Sequence, residues 1–216
     1  MKIGVFDSGR GGTTVLAAVK ALLPDEEYFY IADSKNCPYG EKSDEELYKI
    51  VTKNVNDLKS WGAKIIVIAC NTATVKCIKK LRDEFNDLKF VGTEPAIKLA
   101  ANQKNAKNIL VLATPGTIKS ERTINLKNLN QKPGQQIDLL ACPGLADAIE
   151  REDDNIDKFL DTILPNPQDR AKYDVVVLGC THYPLIKDEL AKKFPSAILL
   201  DGGEGVAKQV KKLISS

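Results

Sequence analysis

The sequence predicts an α/β protein built from two similar three-layer lobes, each with a mainly parallel sheet. Near-continuous aliphatic segments of strand length alternate with segments that have helical periodicity, which is typical of parallel strands covered on both faces by helices. The two halves of the chain also repeat one layout of strand, glycine-bearing polar turn and helix start, at 2–16 and again at 108–123. A length of 216 residues accommodates one large α/β domain or two small ones.

In the first half, strands and helices alternate. The first strand is followed by the glycine-rich turn DSGRGG, the first helix stops at Pro24, and the second begins with a capping box formed by Ser43 and Glu46 and ends at Gly62. The predicted elements are a strand at 2–6, a helix at 13–23, a strand at 28–33, a helix at 43–62, a strand at 65–69, a helix reaching 85 and a strand at 90–92.

The second half contains four further aliphatic strand candidates, at 109–113, 137–141, 175–179 and 197–201. No low-complexity linker separates the halves, and the best boundary lies near GTEPAI at 92–97. We therefore predict a first lobe at 1–94 joined by 204–216, and a second lobe at 95–203.

The composition argues against several classes of protein. The net charge is only +2, with both signs interspersed, so nothing favours nucleic acid or an anionic membrane as a partner. The N-terminus lacks a signal-peptide pattern and the apolar runs are strand-sized, so we expect a cytoplasmic protein. Five cysteines exclude a fully paired disulfide framework, and we expect no metal site because there is no CxxC motif and His182 is the only histidine.

Two cysteines stand where predicted buried strands end. Cys70 follows IIVIA and precedes NTAT, and Cys180 follows VVVLG and precedes THYP. Open α/β sheets bind ligands at the carboxyl ends of their strands, and a helix N-terminus binds anions and lowers the pKa of a thiol. We expect such a setting for both cysteines. Cys77 and Cys142 are predicted to be small core residues, and the role of Cys37 is left open.

Four motifs resemble the signatures of glutamate racemases. They are FDSGRGG at 6–12, CPYGEKS at 37–43, ACNTAT at 69–74 and GCTHYP at 179–184. The segments GTEPAI, ATPGTIKSERT, CPGLADAIE and DGGEGVAKQV look like the intervening and final family segments, so the resemblance covers nearly the whole chain in the right order.

The resemblance implies a fold and a chemistry. It implies two α/β lobes with the active site in the cleft between them, and a C-terminal segment that returns to the first lobe. Cys70 and Cys180 match two catalytic cysteines that act on opposite faces of the substrate α-carbon, and Asp7 and His182 match groups that assist them. The activity implied is cofactor-independent interconversion of L- and D-glutamate, which supplies D-glutamate for peptidoglycan; a homodimer is left open.

The same resemblance implies a set of substrate-binding residues. Alternative roles remain open for some of them: Asp7 as a turn former or helix cap, His182 as a structural histidine, Tyr39 as a packing residue and Glu150 as part of a solvated charged turn. The set comprises Asp7, Ser8, Tyr39, Gly40, Asn71, Thr72, Glu150, Thr181 and His182.

Three other functions compete with glutamate racemisation. A related racemase could act on aspartate or another amino acid, and a non-catalytic binding protein could keep the same fold. A cysteine hydrolase would need one thiol with a histidine base, and it would leave the second cysteine motif unexplained.

Overall fold

The computed structural model describes residues 1–215, which fold into two compact units. The first unit contains Met1–Glu94 and the C-terminal segment from Gly202 onward, and the second is Pro95–Asp201. The segment 204–216 predicted to join the first lobe includes Ser216, which lies outside the described residues.

The first unit contains a four-stranded parallel sheet in the order β2-β1-β3-β4. Two short 3₁₀ helices, Ser34–Asn36 and Tyr39–Glu41, follow β2. The elements are β1 (Lys2–Asp7), α1 (Gly12–Leu22), β2 (Glu27–Ala32), α2 (Asp44–Ser60), β3 (Ile65–Ile68), α3 (Asn71–Glu84) and β4 (Lys89–Gly92).

The second unit repeats this topology with a parallel sheet in the order β6-β5-β7-β8. A 3₁₀ helix, Tyr183–Ile186, follows β7. The elements are α4 (Ile97–Ala101), β5 (Asn108–Ala113), α5 (Pro115–Ile118), α6 (Glu121–Asn130), β6 (Gln136–Ala141), α7 (Leu145–Glu150), α8 (Ile156–Ile163), α9 (Pro167–Arg170), β7 (Val175–Leu178), α10 (Lys187–Lys193) and β8 (Ile198–Leu200); α11 (Gly203–Ile214) then belongs to the first unit.

Both faces of each sheet are covered by apolar side chains. In the first unit, one face packs against α1 and α11 through residues such as Val15 and Val206, and the other packs against α2 and α3 through residues such as Leu58 and Leu81. In the second unit, one face packs against α7, α8 and α10, and the other against α4. Burial on both faces explains why β3 and β7 are wholly aliphatic.

The predicted fold of two similar α/β lobes is therefore confirmed, with small shifts at the ends of elements. The start of α2 follows the predicted capping box in part, because Ser43 Oγ accepts a hydrogen bond from the Glu46 amide at 3.2 Å. The Glu46 carboxylate accepts a hydrogen bond from Lys42 at 3.0 Å. Within residues 1–215, no helix combines the length and apolar character required to cross a membrane.

A close approach between β4 and α3 yields the first prediction. A Cβ atom at Gly92 would lie 2.4 Å from Thr74 Cγ2 and 2.7 Å from Ile78 Cδ1. Thr74 has little freedom to move, because its hydroxyl accepts the Thr93 amide at 3.1 Å and donates to the Ile68 carbonyl at 3.2 Å. We expect Gly92→Ala to lower the free energy of unfolding by about 1–3 kcal/mol, measured by urea denaturation.

Gly205→Ala is the matched control. Gly205 lies in α11, and a methyl group added there would have nothing within 4 Å, so the substitution should be neutral or should stabilise the helix by up to about 1 kcal/mol. Equal stabilities for the Gly92→Ala variant and the wild-type protein would show that β4 and α3 are less closely packed than described.

Candidate functional site

The last residue of β1 is a buried carboxylate. Asp7 is fully buried, and its Oδ2 accepts hydrogen bonds from the Gly12 amide at 2.9 Å and the Gly9 amide at 3.3 Å. A Cβ atom at Gly12 would lie 2.4 Å from Asp7 Cβ, so the helix can approach this closely only with glycine at its first position. Asp7 thus caps the start of α1 and lies at the carboxyl edge of the sheet.

Cys70 lies at the junction of β3 and α3. It is the N-cap residue of α3 and only 5% exposed, and Asn71 and Thr72 form the first turn of the helix. The Asn71 side chain donates a hydrogen bond to the Thr93 carbonyl at 3.3 Å, which links this junction to the end of β4. The predicted helix start behind a strand-terminal cysteine is confirmed at this position.

The expected lowering of the Cys70 pKa is wrong for the folded protein. Burial raises the pKa of the Cys70 thiol to about 12, and the negative charge of Asp7 adds to the increase. The amides of Ala73 and Thr72 and the Ser8 hydroxyl lower the pKa, but burial outweighs them. The resting form of Cys70 is therefore the neutral thiol, and the charged form requires a proton acceptor.

Tyr39 and Gly40 lie in the 3₁₀ helix that follows β2. Tyr39 is buried, and its hydroxyl donates to Asp33 Oδ2 at 2.7 Å and accepts from Asn54 Nδ2 at 3.0 Å. The ring packs in the same apolar cluster as Cys70 and Ala73. Tyr39 therefore packs in the core of the first unit, in the cluster that contains the first thiol, and its substrate-binding role stays a prediction.

Cys180 occupies the corresponding position in the second unit, but its setting differs from that of Cys70. It follows β7 and is 7% exposed, yet Thr181 and His182 form a turn instead of the first turn of an α-helix. The Tyr183 amide donates to the Cys180 carbonyl at 3.1 Å, and the 3₁₀ helix containing Pro184 precedes α10. The segment after Cys180 is held by hydrogen bonds between residues three apart, as in a 3₁₀ turn. The expectation that Cys180 precedes an α-helix N-terminus equivalent to that of Cys70 is therefore wrong.

A histidine and a carboxylate accompany Cys180. His182 is almost fully buried, with Nδ1 3.8 Å from Cys180 Sγ and Nε2 2.8 Å from Glu150 Oε2. When Nε2 carries the proton it donates to the carboxylate, and Nδ1 is then free to accept a proton from the thiol. Glu150, at the end of α7, orients this ring and is not merely part of a solvated turn.

The remaining cysteines have the settings expected of structural residues or lie partly exposed. Cys77 on α3 and Cys142 after β6 are each 1% exposed, and burial raises the pKa of each thiol to about 12. Cys37 is half-buried and precedes Pro38, to which it is joined by a cis peptide bond. The prediction that Cys77 and Cys142 are core residues is confirmed.

The sequence reasoning missed two residues beside Tyr39. Asp33 follows β2 directly and Asn54 lies on the buried side of α2, and both bind the Tyr39 hydroxyl. The sequence does indicate Asp33, because this acidic residue stands at the end of a predicted strand, as Asp7 does. Asn54 is a buried polar residue in an otherwise apolar helix face, which also predicts a specific partner.

One surface cavity of about 500 Å³ lies away from these residues. It lies among α9, α10 and the segments that lead into β7 and β8, and its lining includes Arg170, Tyr173 and Lys193. These segments lie at the amino ends of the strands, opposite the edge that holds Cys180. Since parallel sheets bind ligands at their carboxyl ends, the cavity is not the candidate site.

Comparisons with known proteins agree on one family. The sequence model described as Asp/Glu/Hydantoin racemase matches residues 13–210. The chain is 42% identical over 219 residues to the glutamate racemase of Aliarcobacter butzleri, covering 99% of this chain and 84% of that protein. It is 38% identical over 216 residues to that of Clostridium novyi, covering 98% and 83%.

A solved structure gives the same result. The glutamate racemase of Escherichia coli, solved with L-glutamate and the activator UDP-MurNAc-Ala, superposes with a TM-score of 0.85 at 35% identity. The match covers 99% of this chain and 82% of that one.

The buried Cys77 thiol yields a pH prediction. Its pKa is raised from 9.0 to about 12 in the folded protein, so the unfolded chain releases this proton first as the pH rises. The stability that the protonated thiol contributes is present below pH 9.0 and is lost towards about pH 12. As the pH rises through this range, the free energy of unfolding should therefore fall less steeply for Cys77→Ala than for the wild-type protein. The two slopes should differ by up to about 1.4 kcal/mol per pH unit.

Urea denaturation across this pH window measures the effect. Val55→Ala is the control, because it removes buried volume from the same apolar cluster without removing a titratable group. It should be less stable at every pH but keep the wild-type slope. An unchanged slope in Cys77→Ala would contradict the raised pKa.

Proposed function

This chain belongs to the Asp/Glu/Hydantoin racemase family, and from that premise we propose that it is a glutamate racemase, an isomerase that interconverts L- and D-glutamate. Relatives that share 38–42% identity over nearly the full chain are named glutamate racemases. We further propose that the reaction uses two cysteines as opposing acid and base and supplies D-glutamate for peptidoglycan.

One observation supports the two-cysteine mechanism most directly. β3 and β7 have the same place in their sheets, third in the orders β2-β1-β3-β4 and β6-β5-β7-β8. Each is followed by a buried thiol, Cys70 in one unit and Cys180 in the other. A fold that repeats its topology and places a thiol at both equivalent positions offers two bases of the same kind.

Two bases fit the chemistry of racemisation. One thiolate removes the α-proton from one face of glutamate and becomes a thiol, leaving a carbanion-like intermediate. The other thiol donates its proton to the opposite face and becomes a thiolate. The configuration of the α-carbon is inverted, no electrons are transferred to another molecule, and the protonation states of the two cysteines are exchanged. The two thiols perform both proton transfers, so the proposal requires no cofactor.

The groups beside each thiol would set its protonation state. We assign His182 as the acceptor of the Cys180 proton, with Glu150 holding the imidazole tautomer through the 2.8 Å contact. Asp7 is assigned the corresponding assisting role at Cys70, because its charge acts directly on the Cys70 thiol. A thiol with a pKa near 12 needs such an acceptor before it can act as a base.

The remaining predicted residues would bind the substrate. The amides in the first turn of α3, together with the hydroxyls of Ser8 and Thr72, are suited to the α-carboxylate, which takes up charge in the intermediate. Asn71 completes the group in the first unit, and the Tyr39–Gly40 segment adds backbone groups. In the second unit the predicted binding residues are Glu150, Thr181 and His182.

Two other functions remain as outcomes of the test. Preference for aspartate would place the chain with related racemases, and binding without turnover would indicate a non-catalytic protein. Both thiols, Asp7 and the His182–Glu150 pair are all present, which favours catalysis. The cytoplasmic location and the homodimer stay predictions.

Alanine substitutions of single cysteines test the proposal. Without added cofactor, the wild-type protein should racemise glutamate faster than aspartate, measured by polarimetry from either enantiomer. Cys70→Ala and Cys180→Ala should each abolish turnover, because either change leaves one face of the α-carbon without its acid or base. Circular dichroism should show that both variants remain folded.

Cys77→Ala provides the matched control for thiol loss. Cys77 is also buried and lies on the helix that Cys70 begins, but it lies outside the proposed site. This variant should retain near-native turnover. A folded Cys70→Ala or Cys180→Ala variant with near-native turnover would overturn the two-base mechanism, and a wild-type protein inactive on glutamate would overturn the proposed function.

A further inference from the structure

The hydroxyl of Tyr39 is committed to partners inside the first unit. It donates its only proton to Asp33 and accepts a hydrogen bond from Asn54. Burial, reinforced by the hydrogen bond to Asp33, holds the pKa of Tyr39 far above its ordinary value, so the hydroxyl remains a donor. A substrate near this segment would therefore meet the backbone of Tyr39 and Gly40, since the Tyr39 proton is already used.

Asp33 connects three parts of the first unit. Its amide donates to the Asp7 carbonyl at 3.0 Å, which fixes it at the carboxyl edge of the sheet. Its carboxylate accepts Asn36 Nδ2 at 2.8 Å and the Tyr39 hydroxyl at 2.7 Å, both from the segment that follows β2. Asn54 Nδ2, from α2, reaches the same carboxylate at 3.4 Å.

This network sets the position of the Tyr39–Gly40 backbone relative to the first thiol. The Tyr39 ring lies in the apolar cluster that contains Cys70, and the other end of the side chain is held by Asp33 and Asn54. Asn54 is 5% exposed, so the amide–hydroxyl bond is shielded from water. A change at Asp33 would be transmitted to the segment through Tyr39.

We infer that Asp33 is a positioning residue of the glutamate site: it acts through Tyr39, with Asn54, to hold the Tyr39–Gly40 backbone in its binding position. This inference rests on the proposed function. Asp33 transfers no proton in this role, so its loss should weaken substrate binding and leave the proton transfers largely intact.

Two substitutions weaken or remove the link with little change in shape. Asp33→Asn replaces one acceptor oxygen with a donor, so at least one of the donors around it loses its partner. Tyr39→Phe removes only the hydroxyl and keeps the ring in the cluster. Each should raise the KM for glutamate by about tenfold or more, the usual range for a hydrogen bond to a charged group, while kcat changes far less.

Tyr173→Phe is the matched control. The Tyr173 hydroxyl donates to Asp138 Oδ2 at 2.8 Å, and Tyr173 is 6% exposed, so the substitution removes a similar hydroxyl–carboxylate bond in the second unit. It should leave both KM and kcat at wild-type values. The KM of the double variant Asp33→Asn/Tyr39→Phe should be little higher than that of the single variant with the higher KM, because both changes break the same network.

Hydrogen–deuterium exchange of residues 34–41 gives a readout independent of turnover. Exchange should be faster in Asp33→Asn and Tyr39→Phe than in the wild-type protein and in Tyr173→Phe. The positioning role would be overturned if Asp33→Asn and Tyr39→Phe left the exchange or the KM unchanged. It would also be overturned if kcat fell by as large a factor as KM rose. If the wild-type protein fails to racemise glutamate, the proposed function fails, and the exchange measurement still decides whether Asp33 holds the segment.

Discussion

In a parallel sheet every strand ends at the same edge, and the chemistry of this protein depends on that constraint. In the first unit β1 ends at Asp7, and the ends of β2 and β3 are followed by Asp33 and Cys70, so that three groups far apart in the sequence share one edge. In the second unit the ends of β6 and β7 are followed by Cys142 and Cys180. Each sheet is buried on both faces, so polar groups are placed where the strands stop, and the turns there can hold them by hydrogen bonds.

Burial then determines what the Cys70 thiol needs. At Cys70 the helix amides favour the thiolate, but desolvation and the charge of Asp7 keep the thiol protonated. A buried thiol of this kind becomes a base only when a neighbouring group takes its proton. The two units supply different neighbours, a carboxylate held by glycine amides for Cys70 and a histidine–glutamate pair for Cys180. The proposed reaction is thus symmetric in its thiols and asymmetric in the groups that serve them.

Much of this could be predicted from the sequence. Strand positions followed from wholly aliphatic runs such as those of β3 and β7, and the motifs around Cys70 and Cys180 indicated the site. The setting of Cys180 was mispredicted because a threonine-bearing tail after a strand does not distinguish an α-helix start from a 3₁₀ turn. The raised pKa of Cys70 depends on the completeness of burial and on Asp7, which belongs to a different strand far from Cys70 in the sequence. The bonds of Tyr39 to Asp33 and Asn54 required the tertiary packing of α2, which no local pattern encodes.

Isotope transfer tests the central claim, that two separate thiols serve the two faces of the α-carbon. The reaction is started from one enantiomer of glutamate in D₂O and sampled early. Two bases predict product that carries deuterium at the α-carbon, because a thiol that has exchanged with solvent delivers a deuteron. The remaining substrate keeps its original proton. The mirror-image result should follow from the other enantiomer. Product that retains much of the original α-proton would contradict the account, since it would mean that a single base serves both faces.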